Sequence, residues 1–133
     1  MDTDSPTEEA EVYTLEQALA SVGPGWSDLV RRCWNECRKY PSVRIMNVKE
    51  KLGGLRFYIS HSPEDLFDVI EGYMEESRWV CETCGEEGRL RDGVWMKTRC
   101  DGCQKKWERE RRKWGRERRL KRLWYNVKRM FSP

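Results

Sequence analysis

The chain has 133 residues, 37% of them charged and 38% hydrophobic, with seven tryptophans, which fits about one small domain whose core leans on large rings. No run of about 18 apolar residues occurs, which argues against a membrane-spanning helix. The acidic stretch Met1–Glu11 has neither the basic nor the apolar region of a secretory signal. A cytoplasmic, reducing setting is the expectation, and there six cysteines favour metal binding over disulfides. The net charge of +3 hides a split. The last thirty residues hold 13 of the 26 basic side chains and 3 of the 23 acidic ones, net +10, which leaves −7 on the first 103. An acidic body carrying a basic arm is the pattern.

Residues 1–13 read as an acidic, disordered N-terminus, followed by an α+β body over 14–79. A short helix over Thr14 to Ser21 has Thr14 as N-cap and Gln17 as its capping-box partner, and Gly23-Pro24-Gly25 breaks it. Trp26, Leu29, Val30, Cys33, Trp34 and Cys37 then recur at helical spacing up to Pro41. Cys33 and Cys37 lie on that apolar stripe and read as small core side chains rather than ligands. Two β-runs follow, Val43 to Lys51 and Leu55 to Ser60, joined through Gly53-Gly54 in a hairpin turn that needs positive φ. Val48, Leu55, Phe57 and Ile59 would face the core, and Lys49, Glu50, Lys51 and Arg56 the solvent. A second helix starts with Ser62 as N-cap, Pro63 at the first helical position and Asp65 as capping partner. Leu66, Val69, Ile70, Tyr73 and Met74 form its buried face, and it ends near Ser77.

Residues 80–103 carry the sharpest signal. Cys81 and Cys84, fifteen residues, then Cys100 and Cys103 is the spacing of a four-thiolate zinc site. Gly85 permits the left-handed backbone a knuckle needs, and Arg89 to Thr98 reads as a hairpin turning at Asp92-Gly93. The second pair runs into a helix, which makes the module treble-clef-like. With all four positions filled by thiolate the zinc would be structural, leaving no place for a substrate.

Residues 104–133 form the basic helical arm. Lys105, Lys106, Arg109, Arg111, Arg112 and Lys113, then Arg116, Arg118, Arg119 and Arg122, interleave with Trp107 and Trp114. Such a segment is either a solvated face of Glu–Arg pairs or a surface that grips phosphates and stacks bases. Trp107 and Trp114 share one side of a helix at about 100° per residue, whereas Leu120, Leu123, Val127 and Phe131 lie opposite. A bend or break at Gly115 would reconcile the halves, and the aliphatic stripe would serve as a packing face or a homodimer seam.

GWSDLV from Gly25, VKEKLGGLRFY from Val48 to Tyr58 and CETCGEEGRLRDGVW from Cys81 resemble a family of short, largely uncharacterised zinc-binding proteins of bacterial genomes and prophages. The resemblance spans Gly25 to Cys103. It implies a bacterial or phage origin, and it brings no activity with it. Family members stop soon after the second cysteine pair, so the basic arm is a departure.

Catalysis is not expected. His61 is the only histidine, and a treble-clef nuclease would need histidines around its zinc. Two binding readings stay open. The arm contacts DNA or RNA, or the protein is a phage-type inhibitor or adaptor that engages a host protein.

Overall fold

The computed structural model describes residues 12–93 and 95–131. The segment read as disordered lies outside them, apart from Val12 and Tyr13. Tyr13 belongs to the body: its hydroxyl accepts the Val48 N–H at 3.1 Å and its ring meets Trp34 at 6.2 Å between centroids. The chain is α+β, with helices α1 (Leu15–Ala20), α2 (Ser27–Cys37), α3 (Glu64–Glu76) and α4 (Asp101–Met130). Strands β1 (Ile45–Lys51) and β2 (Gly54–Ile59) make one antiparallel hairpin, and β3 (Arg89–Arg91) and β4 (Lys97–Arg99) another. Two compact units result, residues 1–100 and 101–133. Among the described residues no helix is long and apolar enough to cross a membrane.

The first unit is built around α2. Its stripe of Leu29, Val30, Cys33 and Cys37, preceded by the fully buried Trp26, packs with Val48, Leu55 and Phe57 of the hairpin and with Leu66 and Ile70 of α3. Cys33 and Cys37 are therefore core residues, as their spacing indicated. A hydrogen bond with Cys37, together with burial, pushes the Cys33 thiol well above the usual range, which keeps it protonated and inert. The capping box of Thr14 and Gln17 forms as read from the sequence.

Two local expectations are corrected. The hairpin register pairs Lys51 with Gly54, so the two-residue loop is Leu52-Gly53 rather than Gly53-Gly54. Both loop residues have positive φ, 53° and 80°, as a type I′ turn requires. The start of α3 lies one residue later than its cap signal: Pro63 holds the N-cap position, with no side-chain cap. The Pro63 carbonyl accepts the first intrahelical bond, from Phe67 N–H at 2.9 Å, so Ser62 falls outside the helix.

The second unit is one α-helix of 30 residues, about 45 Å long at 1.5 Å per residue. It runs unbroken through Gly115, where a bend or break was expected. Good helix formers on both sides of Gly115 outweigh the roughly 1 kcal/mol that one glycine costs. No residue of α4 is buried, and Leu120, Leu123, Val127 and Phe131 are all exposed.

Candidate metal centre

The sulfurs of Cys81, Cys84, Cys100 and Cys103 all lie within 4.8 Å of one another. Cys81 and Cys84 sit on a knuckle closed by Gly85, which has φ +85° and whose N–H donates to the Cys81 carbonyl at 3.0 Å. Cys100 follows β4, and Cys103 is in the first turn of α4.

The geometry and chemistry fit a metal ion. A tetrahedral ion with sulfur at about 2.3 Å places its ligands about 3.8 Å apart, and Cys84 Sγ and Cys100 Sγ are 3.6 Å apart. Burial pushes the Cys81 thiol up, but the N–H groups of Cys100, Cys84 and Thr83 and the Cys84 side chain more than reverse this. Its pKa is lowered to about 6. A thiolate at neutral pH is what a metal needs from this residue. Among the described residues this is the one cluster of three or more Cys, His, Asp or Glu side chains able to hold an ion.

Sequence reasoning found the four cysteines and missed what holds them. Gly23-Pro24-Gly25-Trp26 is more than a helix breaker, because it is pressed against the knuckle. The Gly25 N–H donates to Glu82 O at 2.8 Å, and Trp26 Nε1 donates to Val80 O at 2.8 Å. A Cβ on Gly25 would stand 2.0 Å from Cys81 O, and one on Gly23 would stand 2.3 Å from Glu82 O. Gly88 is as confined from the other side, 2.9 Å from Cys81 N. The signal was present in the sequence as two glycines flanking a proline before a tryptophan, but spacing alone does not say what approaches them.

Glu82 was also missed. It is buried, and its Oε2 accepts the Thr98 N–H at 2.7 Å while its own N–H donates to Thr98 O at 2.9 Å. Burial raises the Glu82 carboxyl above the usual range, against the opposing pull of the Thr98 N–H and Lys97. Lys97 Nζ lies 3.8 Å from Glu82 Oε1 and 2.6 Å from Glu50 Oε1. Glu50 is thus not the solvent-facing residue its alternation suggested, and its Oε2 also accepts the Gly53 N–H at 2.8 Å. Thr98 Oγ1 donates to Gly53 O at 2.6 Å, completing a polar lock between the two hairpins. The cysteine knuckle is therefore fastened to the body hairpin through Glu50, Gly53, Lys97 and Thr98.

The other candidates stand apart from the centre. His61 is exposed, with Ser42 Oγ at 3.2 Å from Nε2 and Ser60 Oγ at 3.3 Å from Nδ1. On α4, Lys105, Lys106 and every residue from Arg109 to Arg122 are exposed, and Arg111 lies over the Trp107 ring at 5.3 Å. Among the described residues, none of the cations from Lys105 to Arg122 makes an ion pair, so the Glu–Arg pairs that one of the two sequence readings called for are not formed. No family model, curated protein or solved structure matches the chain.

Proposed function

We propose that the chain is a non-catalytic binding protein. Cys81, Cys84, Cys100 and Cys103 hold one structural zinc ion in a treble-clef-like module, and α4 grips the phosphates of DNA or RNA. The observation that carries the nucleic-acid reading is the state of α4. It offers eleven exposed Lys and Arg between Lys105 and Arg122, with no ion pairs among the described residues, and an exposed Trp114 among them. Such a row of unneutralised cations releases counterions on meeting a polyanion, and exposed indoles stack on bases. Zinc is favoured over other metals because four thiolates in a closed tetrahedral set suit it. The zinc acts through its ligands by fixing the knuckle and the start of α4.

The resemblance to bacterial and prophage zinc-binding proteins supports a phage-type regulator working in the cytoplasm. The test is binding of nuclease-treated, zinc-loaded protein to labelled DNA and RNA across a salt series. Affinity falling steeply with salt, and lost when Arg111, Arg112, Arg118 and Arg119 are replaced by alanine together, is the expected result. No binding at about 0.1 M salt, or binding indifferent to those substitutions, would refute it.

A second reading rests on the far end of α4. Leu120, Trp124 and Tyr125 are exposed together beside Lys121 and Lys128, a face suited to a protein contact. It would serve a host-protein inhibitor or adaptor, or a homodimer through Leu120, Leu123, Val127 and Phe131.

A further inference from the structure

Where the Leu52-Gly53 turn meets the β3–β4 hairpin, the first unit sinks into an open cleft of about 440 Å³. That volume is within the range of small-ligand pockets, roughly 300–1,000 Å³. Four cations line it, Lys51, Arg56, Arg78 and Arg89, and among the described residues no carboxylate does. Lys51 and Arg56 make no ion pair among the described residues, while Arg78 reaches Glu75 at 3.7 Å on an exposed helix end. A domain with −7 on its first 103 residues has here gathered positive charge at one place.

The cleft also offers a ring. Trp79 is 60% exposed, in a unit that hides Trp26 completely. Its backbone is held on both sides: Gly88 N–H donates to Trp79 O at 2.9 Å, and the Ser77–Trp79 turn is closed by Val80 N–H to Ser77 O at 3.3 Å. An indole presented from a fixed backbone loses little freedom when something stacks on it. Leu52 and Leu90, both exposed, and the half-buried Met96 also line the cleft and give it an apolar wall. Leu52 is the single described non-glycine residue with positive φ, 53°.

We propose that this cleft takes an unpaired nucleotide of a single-stranded nucleic acid, with the base against Trp79 and the flanking phosphates against Lys51 and Arg56. Cations select a polyanion, and a π-face beside them selects one that carries rings. The apolar wall offers stacking rather than a hydrogen-bonding pattern, so recognition is tolerant of base identity. A base inside a duplex is stacked on both faces and does not reach Trp79. The inference rests on the nucleic-acid reading of α4 and adds a strand preference to it.

The test uses the full zinc-loaded chain and fluorescence anisotropy with two labelled probes, an oligothymidylate and a mixed-sequence duplex of equal length. Trp79→Ala, and separately Lys51→Ala with Arg56→Ala, should weaken single-strand binding about tenfold or more and leave duplex binding within about twofold. Trp79→Phe should recover most of the loss, and unchanged zinc content and circular dichroism exclude misfolding. Single-strand binding unchanged in the cleft variants overturns the inference, while the arm reading stands if the four-arginine variant still loses both probes. Equal displacement of the oligothymidylate by polyglutamate also overturns it. Wild-type protein that binds neither probe refutes both readings together.

Discussion

Gly25→Ala is the sharpest perturbation of the metal centre that leaves every ligand in place. The new Cβ would stand 2.0 Å from Cys81 O and 2.6 Å from Gly85 N, both backbone atoms of the knuckle. Neither is the tip of a flexible side chain, so the Gly23–Trp26 turn and the knuckle must separate by about 1.5 Å to reach ordinary van der Waals distance. That movement breaks the Gly25 N–H bond to Glu82 O and the Trp26 Nε1 bond to Val80 O, both 2.8 Å. Each bond lost in the interior costs about 1–3 kcal/mol, and displacing the fully buried Trp26 adds to this. The expected loss is about 3–5 kcal/mol in urea unfolding of the zinc-loaded protein. Zinc affinity should fall as well, because the knuckle loses its support. Gly72→Ala is the control: no atom lies within 4 Å of a Cβ there, so the substitution should stabilise α3 by about 1 kcal/mol. Gly25→Ala within about 1 kcal/mol of wild type, with zinc affinity unchanged, would refute the claim that this turn braces the centre.

Trp26→Phe keeps the ring but strands the Val80 carbonyl, and thermal melting should report a loss of about 1–3 kcal/mol. Glu82→Gln keeps an acceptor for the Thr98 N–H and removes the buried charge. Because the folded Glu82 pKa is raised, its favourable contribution is present below the usual carboxylate range and is lost as pH rises through the folded value. The stability of Glu82→Gln relative to wild type should therefore increase between about pH 4 and pH 7. A flat or falling difference in chemical denaturation would contradict that sign. Leu52→Asn should relieve the left-handed strain and stabilise by up to about 1 kcal/mol. Its test is the same unfolding assay, and destabilisation would contradict it.

Much of the fold was legible because its signals are local. The capping box at Thr14 and Gln17 and the alternation of Leu55, Phe57 and Ile59 each depend on neighbours a few residues away. The four ligands were legible for the same reason, since a C-x2-C pair reaches one ion from a single turn. What spacing did not reveal depends on approach between distant segments. Gly25 is confined by Cys81, fifty-six positions on, and Gly53 has its carbonyl taken by Thr98. Glu50, which pairs with Lys97, looked like a solvent-facing charge because periodicity shows a face and not what covers it. The bend or break expected at Gly115 overweighted one residue against the propensity of the whole segment.

The most direct test of the zinc-centred account is the metal content of protein expressed with ample zinc and freed of loose ions. Elemental analysis should find about one zinc per chain, retained on dialysis and lost with Cys100→Ser. Removal by a chelator should unfold residues 80–103, because binding energy is folding energy at such a site. Less than about half an equivalent, or a knuckle that keeps its hydrogen-exchange protection without metal, would contradict the account.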